Sequence, residues 1–271
     1  MARKQVHFIQ SLSRGLLILQ SFSSERPTLT LTELAEITGL NPTAVQRFTD
    51  TLQELGFLGR NRHKEFYLGP RVLSLGFAYL NTSQLRKLTA SYINEYADRL
   101  GCTMNLEVLD GLEVVFLHRR EVRRYLKFDL HPGSKLPAQI TGAGKVLLAA
   151  LEDGELRARI ARMDLQPLTR ETLVDPQEIF NDLLETRQRG MAICARQLSL
   201  DLYSLAVPLL NARPQVVAAV NLSLPWEEAR QGPPRQRVEQ LVALGRELSG
   251  LLGYQGPYPV IPTGPAPEGL S

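Results

Sequence analysis

Residues 28–59, TLTLTELAEITGLNPTAVQRFTDTLQELGFLG, constrain the fold more tightly than any other stretch, because they specify two amphipathic helices and the turn between them. Thr30 precedes Glu33 by three residues, the spacing at which a threonine hydroxyl caps a helix and the glutamate reaches back to the threonine N–H. Leu31, Leu34, Ala35 and Thr38 then share one face. Gly39 stops this helix. Asn41 caps the next, and Pro42 at its first position sacrifices no hydrogen bond. Val45, Phe48, Leu52 and Leu55 form a second apolar stripe, which turns Thr43, Gln46, Arg47 and Asp50 outward. This is the pattern of a helix-turn-helix, and short polar, amide and guanidinium side chains at the start of its second helix suit base edges in a major groove.

The flanks complete that module. Upstream, Ser11 to Phe22 predicts a helix with Leu12, Leu16 and Leu19 turned to the core. Downstream, FLGR, NRHK and EFYLG predict two short strands around a basic turn, a wing that brings Arg60, Arg62, His63 and Lys64 to where backbone phosphates would lie. Charge follows the same division. The first 80 residues hold 9 Lys and Arg against 6 Asp and Glu, whereas the remainder holds 22 of each, so the formal net charge of +3 resides on this segment.

PRVLSLGFAYLNTSQLRKLTASYINEYADRLG predicts one long helix or two successive ones between Pro70 and Gly101. Val72, Leu73, Leu75, Phe77 and Leu80 cover more than one stripe, which a second copy of the chain would bury; packing on its own C-terminal domain is the alternative. From Cys102 the pattern turns to mixed α and β. Thr103–Leu109, Asp110-Gly111 and Glu113–His118 predict a hairpin, and Tyr125–Leu130 a further strand. Thr141 and Asp175 cap helices, while Met191–Ala195, Leu205–Leu210 and Val216–Ser223 are apolar strands, and Trp226–Leu252 holds a last helix. Hairpins beside helices give an α+β class: a winged helix-turn-helix over 1–69, a linker helix over 70–85, and an antiparallel sheet with helices over 86–252. Residues 253–271, rich in Pro and Gly, are expected to be a disordered tail.

The chain has no apolar run of membrane-spanning length and no signal peptide at its start, so a cytoplasmic protein is expected. Cys102, Cys194 and the four histidines lack ligand spacing, and neither metal nor cofactor is expected. Gly144-Lys145 fails as a phosphate loop, since Gln139 and Val146 stand where that motif needs Gly and Ser or Thr. Arg119, Arg120, Arg123 and Arg124 read as a solvated basic face, and no nucleophile–base pair is spaced for catalysis.

The winged module, EFYLGPRVLSLGFAYL, LPAQITGAGKVLLA, PLTRETLVDPQEIFNDLLETRQRGMAI, SLAVPLL and VVAAVNLSLP together resemble the IclR family of bacterial transcription regulators from about Ser11 to Leu252. RVLSLGFAYL and AAVNLS are most similar to the subgroup that controls protocatechuate and 4-hydroxybenzoate catabolism. The resemblance implies a GAF/PAS-like C-terminal domain that binds a small, aromatic carboxylate effector, and a homodimer or dimer of dimers on a near-palindromic double-stranded operator. By motif, the effector residues would be Tyr125, Phe128, Leu136, Gly142, Ala143, Cys194, Ser204, Asn221 and Ser223, and the DNA-binding residues Thr43, Gln46, Arg47, Arg60, Arg62 and Lys64. Physical chemistry supports part of this. The N–H groups of Gly142, Ala143 and Gly144 follow an N-cap and would favour an anion, with a ring hydroxyl reaching Ser204, Ser223 or Asn221. Cross-strand hydrogen bonding is the alternative use of those three side chains. The expected protein is a ligand-responsive regulator without enzymatic activity; the alternative is a small-molecule-binding enzyme or sensor whose helical module makes only protein contacts.

Overall fold

The first elements form where caps and stripes place them. In the computed structural model, which describes residues 7–23, 25–123 and 129–265, α1 (Gln10–Gln20), α2 (Leu31–Thr38) and α3 (Pro42–Glu54) pack together. Thr30 Oγ1 accepts from the Glu33 N–H at 3.3 Å, and the Glu33 carboxylate accepts from the Thr30 N–H at 2.7 Å. Gly39 adopts φ 65°, and Asn41 Oδ1 accepts from the Ala44 N–H at 2.8 Å. A small strand β1 (Thr28–Leu29), which the residue pattern does not announce, joins the wing strands β2 (Leu58–Arg60) and β3 (Phe66–Leu68) in the antiparallel order β1-β3-β2. Ile18, Leu29, Leu34, Val45, Leu58 and Phe66 form the core.

Three expectations about that core are corrected. Leu12 and Leu16 are 62% and 48% exposed, and α1 instead buries Ile18 with Leu19 and Phe22 beside it. The continuous run Leu16–Leu19 leaves the facing side open in the sequence, and contact with the other elements decides it. Leu55 is likewise exposed, because α3 ends at Glu54 and the chain turns away at Gly56; Thr49 takes the inner position.

Two helices follow, not one. α4 (Arg71–Thr82) gives way at Ser83, whose Oγ accepts from the Arg86 N–H at 3.3 Å and starts α5 (Gln84–Leu100). The chain divides into two units between Tyr79 and Leu80, inside α4. No residue of α4 is buried: Leu73, Leu75 and Phe77 are 61%, 57% and 52% exposed.

The second unit is an antiparallel sheet with helices on both faces. β4 (Thr103–Asp110), β5 (Glu113–Arg120) and β6 (Lys135–Pro137) lead into a 3-10 turn (Ala138–Ile140), α6 (Gly142–Ala149), α7 (Asp153–Ile160) and α8 (Pro176–Arg189). Then come β7 (Ala192–Ala195), β8 (Leu202–Leu210), β9 (Val216–Pro225), a second 3-10 turn (Trp226–Ala229) and α9 (Arg235–Leu251). The strand order is β6-β5-β4-β9-β8-β7. Because side chains alternate across a strand, Val207 meets α9 at Gly245 while Ser204 and Ala206 meet α6 at Gly142. Each buried face contributes to a shared core that includes Met104, Leu106, Phe116, Leu148 and Leu222.

The disordered tail expected at 253–271 is corrected over its described part. Tyr258 and Ile261 are 8% and 5% exposed within the core, and Tyr258 Oη donates to the Pro208 carbonyl at 2.7 Å. A Pro/Gly-rich segment need not have periodicity when two side chains anchor it. No helix of the described residues is long and apolar enough to cross a membrane.

Candidate functional site

The recognition surface of the first unit lies on α3 and the wing. Thr43 and Arg47 are exposed near the start of α3; Gln46 is half-buried and its Nε2 donates to Asp50 Oδ1 at 2.5 Å, so that amide is held by its own helix. Arg47 shares a shallow groove with Ser11 and Arg14 of α1, Arg14 being a cation that the residue pattern did not single out. In the wing, Asn61 Oδ1 accepts from the N–H groups of His63 and Glu65, which shapes the turn and holds Lys64 at φ 63°. Arg62, His63 and Lys64 project into solvent. Arg60 differs: its guanidinium stacks over the Phe66 ring at 5.0 Å and Nε donates to the Lys64 carbonyl, so it braces the wing.

The second unit contains a cavity between one sheet face and the start of α6. Of the effector residues named from the sequence, Leu136, Gly142, Cys194, Ser204, Asn221 and Ser223 line it. Ala143 does not; its side chain belongs to the hydrophobic core. Tyr125 and Phe128 lie outside the described residues. Register explains the convergence: Asn105, Asn221 and Ala206 are successive neighbours across β4, β9 and β8, while Ser204 pairs with Ser223 and with Cys194.

Four side chains form a hydrogen-bonded ladder. Arg119 Nη1 donates to Asn105 Oδ1 at 2.9 Å, Asn105 Nδ2 donates to Asn221 Oδ1 at 2.7 Å, and Asn221 Nδ2 donates to Ser204 Oγ at 3.4 Å. Asn221 and Ser204 therefore make the cross-strand bonds considered as an alternative, and line the cavity as well. Gly142 packs so closely that a Cβ there would stand 2.7 Å from Ser204 Oγ. The role expected of Gly144 is corrected. Its N–H donates to Thr141 Oγ1 at 3.0 Å, and a Cβ would overlap the Ala138 carbonyl oxygen, so this glycine serves close packing rather than an anion. Gly142 and Ala143, at the first turn, have N–H groups without a partner in their own helix.

Sequence reasoning missed the ionisable part of the site. Arg119, read as solvated, has a side chain only 8% exposed that lines the cavity and pairs with Glu121 at the rim. Its neighbours do behave as surface groups: Arg120 pairs with Asp98 and Arg123 with Glu228. Glu107 is fully buried in the cavity wall, and burial lifts its carboxyl group to about 8 against the opposing pull of Arg119. A signal was present: in TMNLEVL the polar residues Thr103, Asn105 and Glu107 alternate with Met104, Leu106 and Val108, too many polar groups for a buried face without a purpose. Burial also pushes the Cys194 thiol up, and its Sγ donates to the Ile140 carbonyl at 3.2 Å, which leaves an inert thiol. Lys145, fully buried, pairs with Asp182 at 2.7 Å and ties α6 to α8. The interior of the cavity is about 30 Å³, room for about two water molecules. A larger occupant must spread its walls. No cluster among the described residues is arranged to hold a metal ion.

The IclR helix-turn-helix domain matches residues 11–62 and the bacterial transcriptional regulator IclR C-terminal domain matches residues 77–250. The chain is 34% identical over 243 residues to the Pca regulon regulatory protein of Pseudomonas putida, covering 89% of this chain and 83% of that one. It is 32% identical over 250 residues to the p-hydroxybenzoate hydroxylase transcriptional activator of Acinetobacter baylyi, covering 90% and 91%. An IclR homologue from Microbacterium hydrocarbonoxydans, solved with 4-hydroxybenzoate, has the same fold with a TM-score of 0.71 at 22% identity, covering 89% of this chain and 98% of its own. The chain belongs to the IclR family, as a DNA-binding transcriptional regulator with a C-terminal effector-binding domain.

Proposed function

We propose that the regulator responds to a small aromatic carboxylate held between the start of α6 and the β4–β9–β8 strands. The observation that carries this reading is the cavity itself: a first helical turn that packs against Ser204 at Gly142, flanked by the Asn105–Asn221 ladder and by the apolar walls of Phe116, Leu130, Leu136 and Ile140. Helix start and hydroxyl suit a carboxylate, and the walls suit a ring. The names of the Pseudomonas and Acinetobacter relatives support aromatic acids, as does the 4-hydroxybenzoate bound by the Microbacterium homologue. Because the interior is narrow, the effector spreads the cavity walls as it enters.

On DNA, Arg47 reads a base while Arg62 and Lys64 contact phosphates; Thr43 and Gln46 lie on the same helix face. The exposed apolar residues of α4, with Leu12 and Leu16 of α1, are covered by a second copy of the chain, which gives a dimer and a near-palindromic operator. The cytoplasm is its place of action. Calorimetry of the full chain with benzoate, 4-hydroxybenzoate, protocatechuate and pyruvate tests the effector class. An aromatic acid should bind most tightly; preference for pyruvate would exclude the aromatic reading. Sedimentation at micromolar concentration should show at least a dimer, and a monomer would exclude the role given to α4.

A further inference from the structure

We propose that Glu107 selects the effector for a hydroxyl group, so that the regulator distinguishes hydroxylated aromatic acids from unsubstituted ones. This rests on the reading of the cavity as an aromatic-acid site. Of the hydroxyl partners first expected, Ser204, Ser223 and Asn221, the amide fits that task least well. Both polar ends of the Asn221 amide are already engaged, Oδ1 by Asn105 and Nδ2 by Ser204. Glu107 lies one alternation along β4 from Asn105, opposite Ala219 of β9, with no surface exposure. Among the described residues, neither of its carboxyl oxygens has a hydrogen-bond partner. Two other cavity groups share this condition, Arg119 Nε and Gln197 Oε1.

An unpartnered carboxyl group in a sheet interior is costly, and an apolar residue of similar size would remove the cost. What it lacks shows what would satisfy it. Burial keeps Glu107 neutral near pH 7, with one O–H donor and one carbonyl acceptor. A ligand hydroxyl matches both, donating to one oxygen and accepting from the other or from Arg119 Nε. A ligand carboxylate can only accept, so it would leave the carbonyl oxygen unpaired; an unsubstituted ring would leave the whole group unpaired. A site built around such a group rejects the ligand that lacks the matching hydroxyl, because the buried polar atoms then stay unsatisfied. The carboxylate stays at the α6 end, and the hydroxyl reaches across the ring to β4.

The test is calorimetry of the full-length protein with benzoate, 3-hydroxybenzoate and 4-hydroxybenzoate, for the wild type, Glu107→Gln and Glu107→Leu. The wild type should bind one of the hydroxybenzoates at least about tenfold more tightly than benzoate. Glu107→Gln, which keeps a donor and an acceptor, should retain most of that preference. Glu107→Leu should reduce the ratio to less than about threefold. Equal affinity of the wild type for all three acids overturns the inference and leaves the cavity as an aromatic-acid site, whatever the variants do. An unchanged ratio in Glu107→Leu also overturns it. Failure of the wild type to bind any of the three overturns the cavity reading and the inference together.

Discussion

The two units use polar residues in opposite ways. In the winged helix-turn-helix, the side chains proposed to meet DNA stand in water on one helix and one turn, above a core that is apolar apart from Thr49 and Ser21. In the effector-binding unit, the side chains proposed to meet a ligand are buried, and they come from β4, β5, β8 and β9 and from the start of α6. DNA is an external surface, so its contacts can be displayed locally. A small effector must be enclosed, so its contacts have to be gathered from distant segments and desolvated beforehand. The first arrangement leaves a trace in local periodicity; the second leaves its trace mainly in the wrong kind of residue on a buried strand.

The largest expected effects break that contrast from the buried side. Ser204→Leu should fill the cavity and abolish the transcriptional response while operator affinity is retained, and Gly142→Val should do the same, since its Cβ would intrude on Ser204. Calorimetry and gel shifts on the same preparations check both; an unchanged response in either variant would mean that the ligand lies elsewhere. From the exposed side, Arg47→Ala should cost about 1 to 3 kcal/mol at the preferred operator and little on unrelated DNA. A uniform loss on both would make Arg47 a phosphate contact.

The next effect is one of stability. Glu107 titrates near 8 in the folded chain against an ordinary value of 4.5, so between those pH values the folded state holds a proton that the unfolded state has released. Its contribution is therefore fully present below about 4.5 and is lost as pH rises to 8. Melting temperatures of the wild type should fall across that interval more steeply than those of Glu107→Gln; identical slopes would show a partnered or ionised carboxylate. The smallest effects belong to the wing. Arg62→Ala and Lys64→Ala should weaken all DNA sequences alike and each lower the salt slope by about 1; sequence-dependent losses would assign them to bases instead.

Much of the fold was legible because its signals are local. The Thr30–Glu33 box, the Asn41-Pro42 start, Gly39 and the Asp110-Gly111 turn each act over a few residues, and each appears where its chemistry requires. Signals failed where two local readings were equivalent. LLIL in α1 offers two faces, and packing on α2 and α3 chose Ile18. The terminal segment offers no period at all, yet Tyr258 and Ile261 hold its described part on the sheet unit.

The sequence by itself determined the two-unit order, the winged helix-turn-helix with its outward Arg47, and a capped helix start at Gly142. Those follow from capping chemistry, alternation and glycine, all of which operate along the chain. Tertiary structure alone decided that Arg119 turns inward while Arg120 and Arg123 stay in water, that Arg60 braces the wing, and that Glu107 is enclosed without a partner among the described residues. Each of those depends on which strand lies alongside and what covers it, and a carboxylate or guanidinium has no chemical character of its own until its neighbours set how much water it keeps.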